Sequence, residues 1–195
     1  MIQMRIGLFF GSFNPIHMGH LIIANTILEL SNLERVWFVV SPQNPFKNLT
    51  SLLHEHDRFE MVRLAIGDNP AFNVSDIEFR LPKPNYTIDT LTYLSEKYPK
   101  NHFSLLIGMD NLLSFEKWKN HKQILENYGL LVYPRPGYES KHPLLSHPNV
   151  SLIDSPLIDI SASLIRNLVK SGRSIKYLVH QDVENHIKMK KFYLS

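Results

Sequence analysis

Apolar residues along the chain fall into two alternating patterns. Short unbroken runs, RIGLFF (5–10), VWFVV (36–40), FSLLIG (103–108) and GLLVYP (129–134), have the length and uniformity of strands buried on both faces. NVSLI, near Val150 to Ile153, is a fifth and weaker run. Between these runs the apolar positions recur at helical spacing. GHLIIANTILEL carries Leu21, Ile22, Ala24, Ile27 and Leu28, and HDRFEMVRLAIG carries Phe59, Val62, Ala65 and Ile66 on one face. In the latter, Asp57 followed by Glu60 predicts a capping-box start and Gly67 a stop. TIDTLTYLSEKY predicts a helix ended by Pro99, and ASLIRNLVKSG and DVENHIKMKKF predict two more near the end. Strand and helix in alternation predict an α/β fold: a doubly wound, mainly parallel sheet with helices on both faces. The chain contains no repeat, low-complexity stretch or convincing linker, so residues 1–195 are expected to form a single domain. Residues 161–195 are expected to add a small helical part, and 41–56 and 134–149 are the long polar loops.

In sheets of this kind ligands sit beyond the carboxyl ends of the strands. GSFNPIHMGH follows the first strand, SPQNPFK the second, GMDN the FSLLI run and PRPGY the GLLVY run, so four polar loops project from one edge. The first is the richest. Gly11 allows a sharp turn and close approach to a ligand, and Pro15 stiffens the loop. A helix is expected to start at Met18 or Gly19 with its free N–H groups facing the loop. His17 and His20 share a face there, where imidazole N–H groups can donate to phosphate oxygens. The stretch is neither a Walker loop nor G-x-G-x-x-G; an inert loop and a phosphate-binding turn are the competing readings. Two histidines without a carboxylate make a poor metal site. His54, His56 and Asp57 read as a helix start with exposed histidines rather than a metal cluster.

Composition narrows the function classes. Hydrophobic residues are 44% and charged residues 20%, enough for a sizeable core. The net charge of +3 suits a small polyanion and, without a Lys/Arg stripe, argues against nucleic acid as a partner. IKMKK, the one locally basic run, reads as a solvated helix end. There is no cysteine, which removes thiolate and disulfide chemistry and is compatible with the cytoplasm. No apolar run reaches the roughly 18 residues of a membrane span, so no membrane partner is expected. The N-terminal apolar run leads into a glycine turn rather than a signal-peptide cleavage site.

The first loop is similar to the G-x-F-x-P-x-H-x-G-H signature of the nucleotidyltransferase superfamily, with matches at Gly11, Phe13, Pro15, His17, Gly19 and His20. ISASLIR (160–166) resembles the second signature, I-S-x-T-x-I-R, with Ser163 keeping the hydroxyl of Thr. Along nearly its whole length the chain resembles the bacterial nicotinate-nucleotide adenylyltransferases. SPQNPFK resembles their P-x-x-x-P-x-K segment. NYTIDTL (85–91) is close to S-Y-T-I-D-T-L, with Asn85 for Ser. IGMDNLLSFEKWKNHKQIL resembles G-x-D-x-x-x-x-x-x-W followed by a helix, and VYPRPGY resembles an R-P-G loop. Asn14 stands where Asp is common, and His121 lies where a second Trp is often found.

The resemblance implies a Rossmann-like fold and adenylyl transfer from ATP to nicotinate mononucleotide, with release of pyrophosphate, in NAD biosynthesis. Mg²⁺ is the implied cofactor, held mainly by phosphates and water, with no metal ligand assigned to the chain. His17, His20 and Arg166 are the implied catalytic residues. The implied ATP contacts are Gly11, Ser12, Phe13, His20, Gly108, Asp110, Ser161, Ser163 and Arg166. The implied mononucleotide contacts are Asn14, Lys47, Tyr86, Thr87 and Trp118. Arg135 is grouped with them as a further candidate near adenine or phosphates. Monomer and homodimer are both left open. The alternatives are an adenylyltransferase acting on phosphopantetheine, against which YTIDTL and Trp118 speak, and a non-catalytic nucleotide-binding regulator, against which His17, His20 and Arg166 speak.

Overall fold

The computed structural model describes residues 3–42 and 52–194. Six strands form one sheet in the order β3-β2-β1-β4-β5-β6: β1 Arg5–Gly11, β2 Arg35–Val40, β3 Phe72–Ser75, β4 His102–Gly108, β5 Leu130–Tyr133 and β6 Val150–Leu152. Every neighbouring pair is parallel. The strand order turns around between β1 and β4, which makes the carboxyl edge of those two strands the switch point where a crevice opens.

Side-chain alternation sorts the apolar runs onto two faces. Phe9, Val36, Phe38, Val40 and Leu106 meet α1 (Met18–Leu30), α2 (Glu55–Ile66), α7 (Ala162–Lys170) and α8 (Gln181–Lys190). Ile6, Leu8, Trp37, Val39, Leu105 and Ile107 meet α4 (Thr87–Lys97), α5 (Met109–Leu112) and α6 (His121–Asn127). Burial on both sides is the reason the strands read as unbroken apolar runs. Ile165, Val183 and Ile187 of the last two helices enter the same core as Ile23 and Ile27 of α1.

Local details depart from the sequence reading. β3 and the single-turn helix α3 (Ile77–Arg80) were not predicted: four residues carry too little pattern, and β3 exists through its pairing with β2. In α2 the cap is His54, whose side chain accepts from the His56 N–H, and Asp57 lies inside the first turn instead of capping it. Of the predicted α2 face Val62 and Ala65 are buried, together with Arg58 and Met61, while Phe59 and Ile66 are partly buried. In α1 the predicted Ala24 and Ile27 are buried with Gly19 and Ile23, while Leu21, Ile22 and Leu28 are partly buried. Gly67 does end α2, at φ +55°, and α4 stops just before Pro99. Among the described residues no helix is long and apolar enough to cross a membrane.

Candidate active site

A cavity of about 320 Å³ opens at the carboxyl ends of β1, β4 and β5. Its wall combines the loop after β1 (Gly11, Ser12, Phe13, Asn14, His17), the start of α1 (Gly19, His20), the strand-end residues Asp110 and Arg135, and the segment Ile158–Arg166. The two motifs at opposite ends of the sequence therefore share one cavity.

His17 and His20 stack with ring centroids 3.7 Å apart. The His17 backbone N–H donates to Nδ1 of His20 at 3.2 Å, so a neutral His20 carries its proton on Nε2. His17 is only 6% exposed, and burial, then the nearby Arg135 cation, lower its pKa to about 4. Its ring is neutral near pH 7. A Cβ on Gly19 would lie 2.9 Å from Ile158 and 3.0 Å from the His17 ring, so the glycine between the histidines makes room for that ring.

Arg166 reaches across from α7. One of its nitrogens donates to the Asn14 carbonyl at 2.8 Å and another to the Ser163 hydroxyl at 3.1 Å. Ser161 caps α7 by accepting from the Leu164 N–H, as expected, and so holds the helix N-terminus at the cavity wall. Ser163 does not cap the helix but supports Arg166. Asn14 is buried, and its side-chain oxygen accepts from the Leu53 N–H and the Tyr193 hydroxyl.

Gly108 ends β4 and explains the G-x-D spacing. A Cβ there would lie 2.3 Å from an Asp110 carboxylate oxygen and 3.0 Å from Arg135, so only glycine lets the carboxylate fold back over the strand end. Asp110 and Arg135 face each other at 3.6 Å. Arg135, expected with the mononucleotide residues, thus stands beside the aspartate at the strand ends.

Three other candidates lie apart from this cavity. Tyr86 lines a separate concavity with Leu81–Asn85, Asp89 and Thr90, and Lys119 sits 4.6 Å above its ring. Thr87 begins α4. Trp118 is half-buried and packs on Phe115 with centroids 5.6 Å apart. Lys47 lies outside the described residues. Among the described residues no group of three or more His, Asp or Glu side chains converges as a metal site would.

The sequence matches the family model described as cytidylyltransferase-like over residues 8–168. A protein of Cytophaga hutchinsonii named probable nicotinate-nucleotide adenylyltransferase is 62% identical, covering 97% of this chain and 98% of its own. One of the same name from Flavobacterium johnsoniae is 47% identical over 97% and 99%. The chain belongs to the nicotinate-nucleotide adenylyltransferase family. The nicotinic acid mononucleotide adenylyltransferase of Plasmodium falciparum, solved in complex with NaAD, shares the fold, with a TM-score of 0.81 at 21% identity over 97% of both chains.

As a member of this family of nucleotidyltransferases the chain is an enzyme of NAD biosynthesis. Three residues around the site escaped the sequence reading. Arg58 is fully buried beneath the first loop. Glu78 is buried under the 85–90 segment, with Oε1 accepting from the Thr90 hydroxyl at 2.9 Å, and burial raises its pKa. Tyr193 binds Asn14 from the far end of the chain. A signal did exist for Arg58: it opens a 58/61/62/65 stripe whose other members are apolar.

Proposed function

We propose that this enzyme transfers the adenylyl group of ATP to nicotinate mononucleotide, releasing pyrophosphate, within one domain spanning residues 1–195 and in the cytoplasm. The observation that carries this reading is the meeting of His17, His20 and Arg166 in one cavity at the sheet's switch point. The names of the relatives supply the substrate class.

The chemistry asks for placement rather than for a reactive side chain. The mononucleotide phosphate has a second pKa of about 6 and is largely dianionic near neutral pH. Its oxygen forms a bond to the α-phosphorus while the bond from that phosphorus to the bridging oxygen breaks. Pyrophosphate leaves with the electron pair. No general base is needed; in-line alignment and neutralisation of negative charge are. His20, with its proton directed to Nε2, donates to the α-phosphate as charge builds there. Neutral His17 stacks against it, fixes its ring and supplies a second imidazole at the phosphates. Arg166, braced by Asn14 and Ser163, clamps the β- and γ-phosphates, and the N-terminus of α7 with Ser161 adds polar N–H groups. The backbone of Gly11, Ser12 and Phe13 borders the nucleotide, and Gly108 with Asp110 holds the ribose.

On the acceptor side Lys47 and Asn14 serve the mononucleotide phosphate, and Arg135, beside Asp110, adds positive charge near the phosphates. Trp118 stacks on the pyridine, and Tyr86 and Thr87 read its carboxylate. Donors that read a carboxylate discriminate against the amide, whose NH₂ cannot accept. Mg²⁺, if bound, would be held mainly by the substrate phosphates and water and would supply charge neutralisation there, with no metal ligand assigned to the chain. Among the described residues lining the cavity the one carboxylate is Asp110, which faces Arg135. No step is assigned to the metal.

The test is pyrophosphate release from ATP and Mg²⁺ with nicotinate mononucleotide, nicotinamide mononucleotide or phosphopantetheine. Release is expected with the first and much less with the second. Release with phosphopantetheine alone would overturn the acceptor, and release with none would make the protein a nucleotide-binding regulator.

A further inference from the structure

Arg58 is the one fully buried arginine among the described residues, at 0% exposure. It lies on α2, the helix after the second substrate loop. Its Nε donates to the Leu53 carbonyl at 2.9 Å. One terminal nitrogen donates to both Ser12, at 2.6 Å, and Ser41, at 2.8 Å; the other donates to Pro42 at 2.8 Å. All four acceptors are main-chain carbonyls, and no carboxylate lies within ion-pair distance of Arg58 among the described residues.

Such an arrangement is a poor way to gain stability. A guanidinium stays charged when buried, and removing it from water without a counter-ion is costly; packed apolar residues commonly serve a core at least as well. Burial lowers the pKa of Arg58 and the more distant Glu55 carboxylate offsets part of that, while its N–H groups remain committed to carbonyls. What the cost secures is geometry. Ser12 follows β1 and lines the cavity. Ser41 and Pro42 follow β2, and Leu53 precedes α2, so Pro42 and Leu53 flank in sequence the stretch that carries Lys47. A planar fork with fixed donor directions sets the relative position of three chain segments, which an ammonium on a flexible stem does not. The Ser41 side chain is also a hydrogen-bond partner of buried Glu78, which holds Thr90 of the segment that includes Tyr86 and Thr87. The frame thus runs from the phosphate loop to the other substrate segment.

We propose that Arg58 is a positioning residue for adenylyl transfer: its buried guanidinium locks Ser12 after β1, Ser41 and Pro42 after β2, and Leu53 before α2 into one frame, so that the two nucleotides meet in line. This rests on the adenylyl-transfer reading. His20 and Arg166 sit on other helices, and the hydrogen bonds of Arg58 reach the first loop only at the Ser12 carbonyl, so loss of the fork is expected to weaken the ATP grip less than it disturbs the alignment of the two nucleotides.

The experiment compares Arg58→Lys, which keeps the charge and loses the fork, with the parent enzyme. Thermal unfolding and ATP binding are measured beside steady-state kinetics. The expected result is a folded variant whose Kd for ATP changes less than about threefold while kcat falls by about tenfold or more and the mononucleotide KM rises. A folded variant with parental kcat and KM, changed only in Tm, overturns the proposal and leaves Arg58 a structural residue. If the variant does not fold, nitrogen-15 spectra of the parent decide. The single slowly exchanging arginine side chain is expected to shift when the mononucleotide is added to the ATP-analogue complex, and no shift overturns the proposal. The parent's own pyrophosphate release is the control. A parent inactive with nicotinate mononucleotide but active with phosphopantetheine sinks the acceptor assignment, and the kinetic comparison then runs with that acceptor.

Discussion

The two ends of the carboxyl edge of the sheet are built differently. Around residues 11–20 the groups are enclosed, with Phe13, Asn14 and His17 all buried, and from 158–166 the partly buried Arg166 is tied to Asn14 and Ser163. Around 81–90 and 115–119 the surface is open. Tyr86 is 42% exposed, Lys119 lies over its ring, and Lys119 pairs with Asp89 at 2.9 Å where both are largely solvated. The contrast fits the proposed roles of the two ends. Donors facing a phosphate that gains charge in the transition state work best when fixed beforehand, because reorganisation then costs little. A flat aromatic acceptor is gripped by area, and an exposed ring or a half-buried Trp118 provides that without precise donors.

Substitutions that separate the two ends can break or sharpen this contrast. The largest effect is expected from His20→Ala, which removes a prefixed donor and should lower kcat by roughly 10²-fold with little change in the acceptor KM. An increase in KM alone would take His20 out of the transition state. Next is acid stability. The folded pKa of His17 is about 4, below its unfolded value near 6.5. The unfolded chain therefore binds the extra proton first. The His17 contribution is complete above pH 6.5, falls as pH drops through the window from 6.5 to 4, and changes no further below it. The slope is at most ~1.4 kcal/mol per pH unit. Denaturant titrations between pH 7 and 4 should show this component, and His17→Asn should abolish it; an unchanged slope would mean that the enclosed end is less sealed than its geometry indicates. Gly108→Ala should then raise the ATP KM by roughly tenfold, since the added methyl displaces Asp110. Smallest is Trp118→Ala, expected to raise the mononucleotide KM several-fold, on the scale of about 1 kcal/mol for an aromatic contact, and to leave ATP binding alone. Equal losses of both substrates would show that the open end is coupled to the closed one more tightly than by the Arg58 frame.

Much of this was legible along the chain, for reasons that can be named. The strands of the sheet's centre read correctly because burial on both faces imposes an unbroken apolar run. In the G-x-F-x-P-x-H-x-G-H loop the glycines answer contacts that the sequence reading did not name: Gly11 lies against the Phe13 ring and Gly19 against His17. Ser161 read correctly as a cap because capping is settled within one turn. β3 did not, since FNVS becomes a strand only beside β2. The faces of α1 and α2 were legible in part: Ala24, Ile27, Val62 and Ala65 are buried as expected, while Ile23, Arg58 and Met61 join them because the side a helix buries depends on the sheet beneath it.

The sequence alone determined the alternation of strands and helices, the edge from which the polar loops project, and the two motifs that carry the histidines and Arg166. Those are properties of short segments, set by side-chain period, turn chemistry and capping. Tertiary structure alone decided that Arg166 meets Asn14, that His17 is neutral, that Asp110 faces Arg135, and that a charged Arg58 lies fully buried. Each of these depends on desolvation and on partners from distant segments, and neither exists until the sheet has brought those segments together.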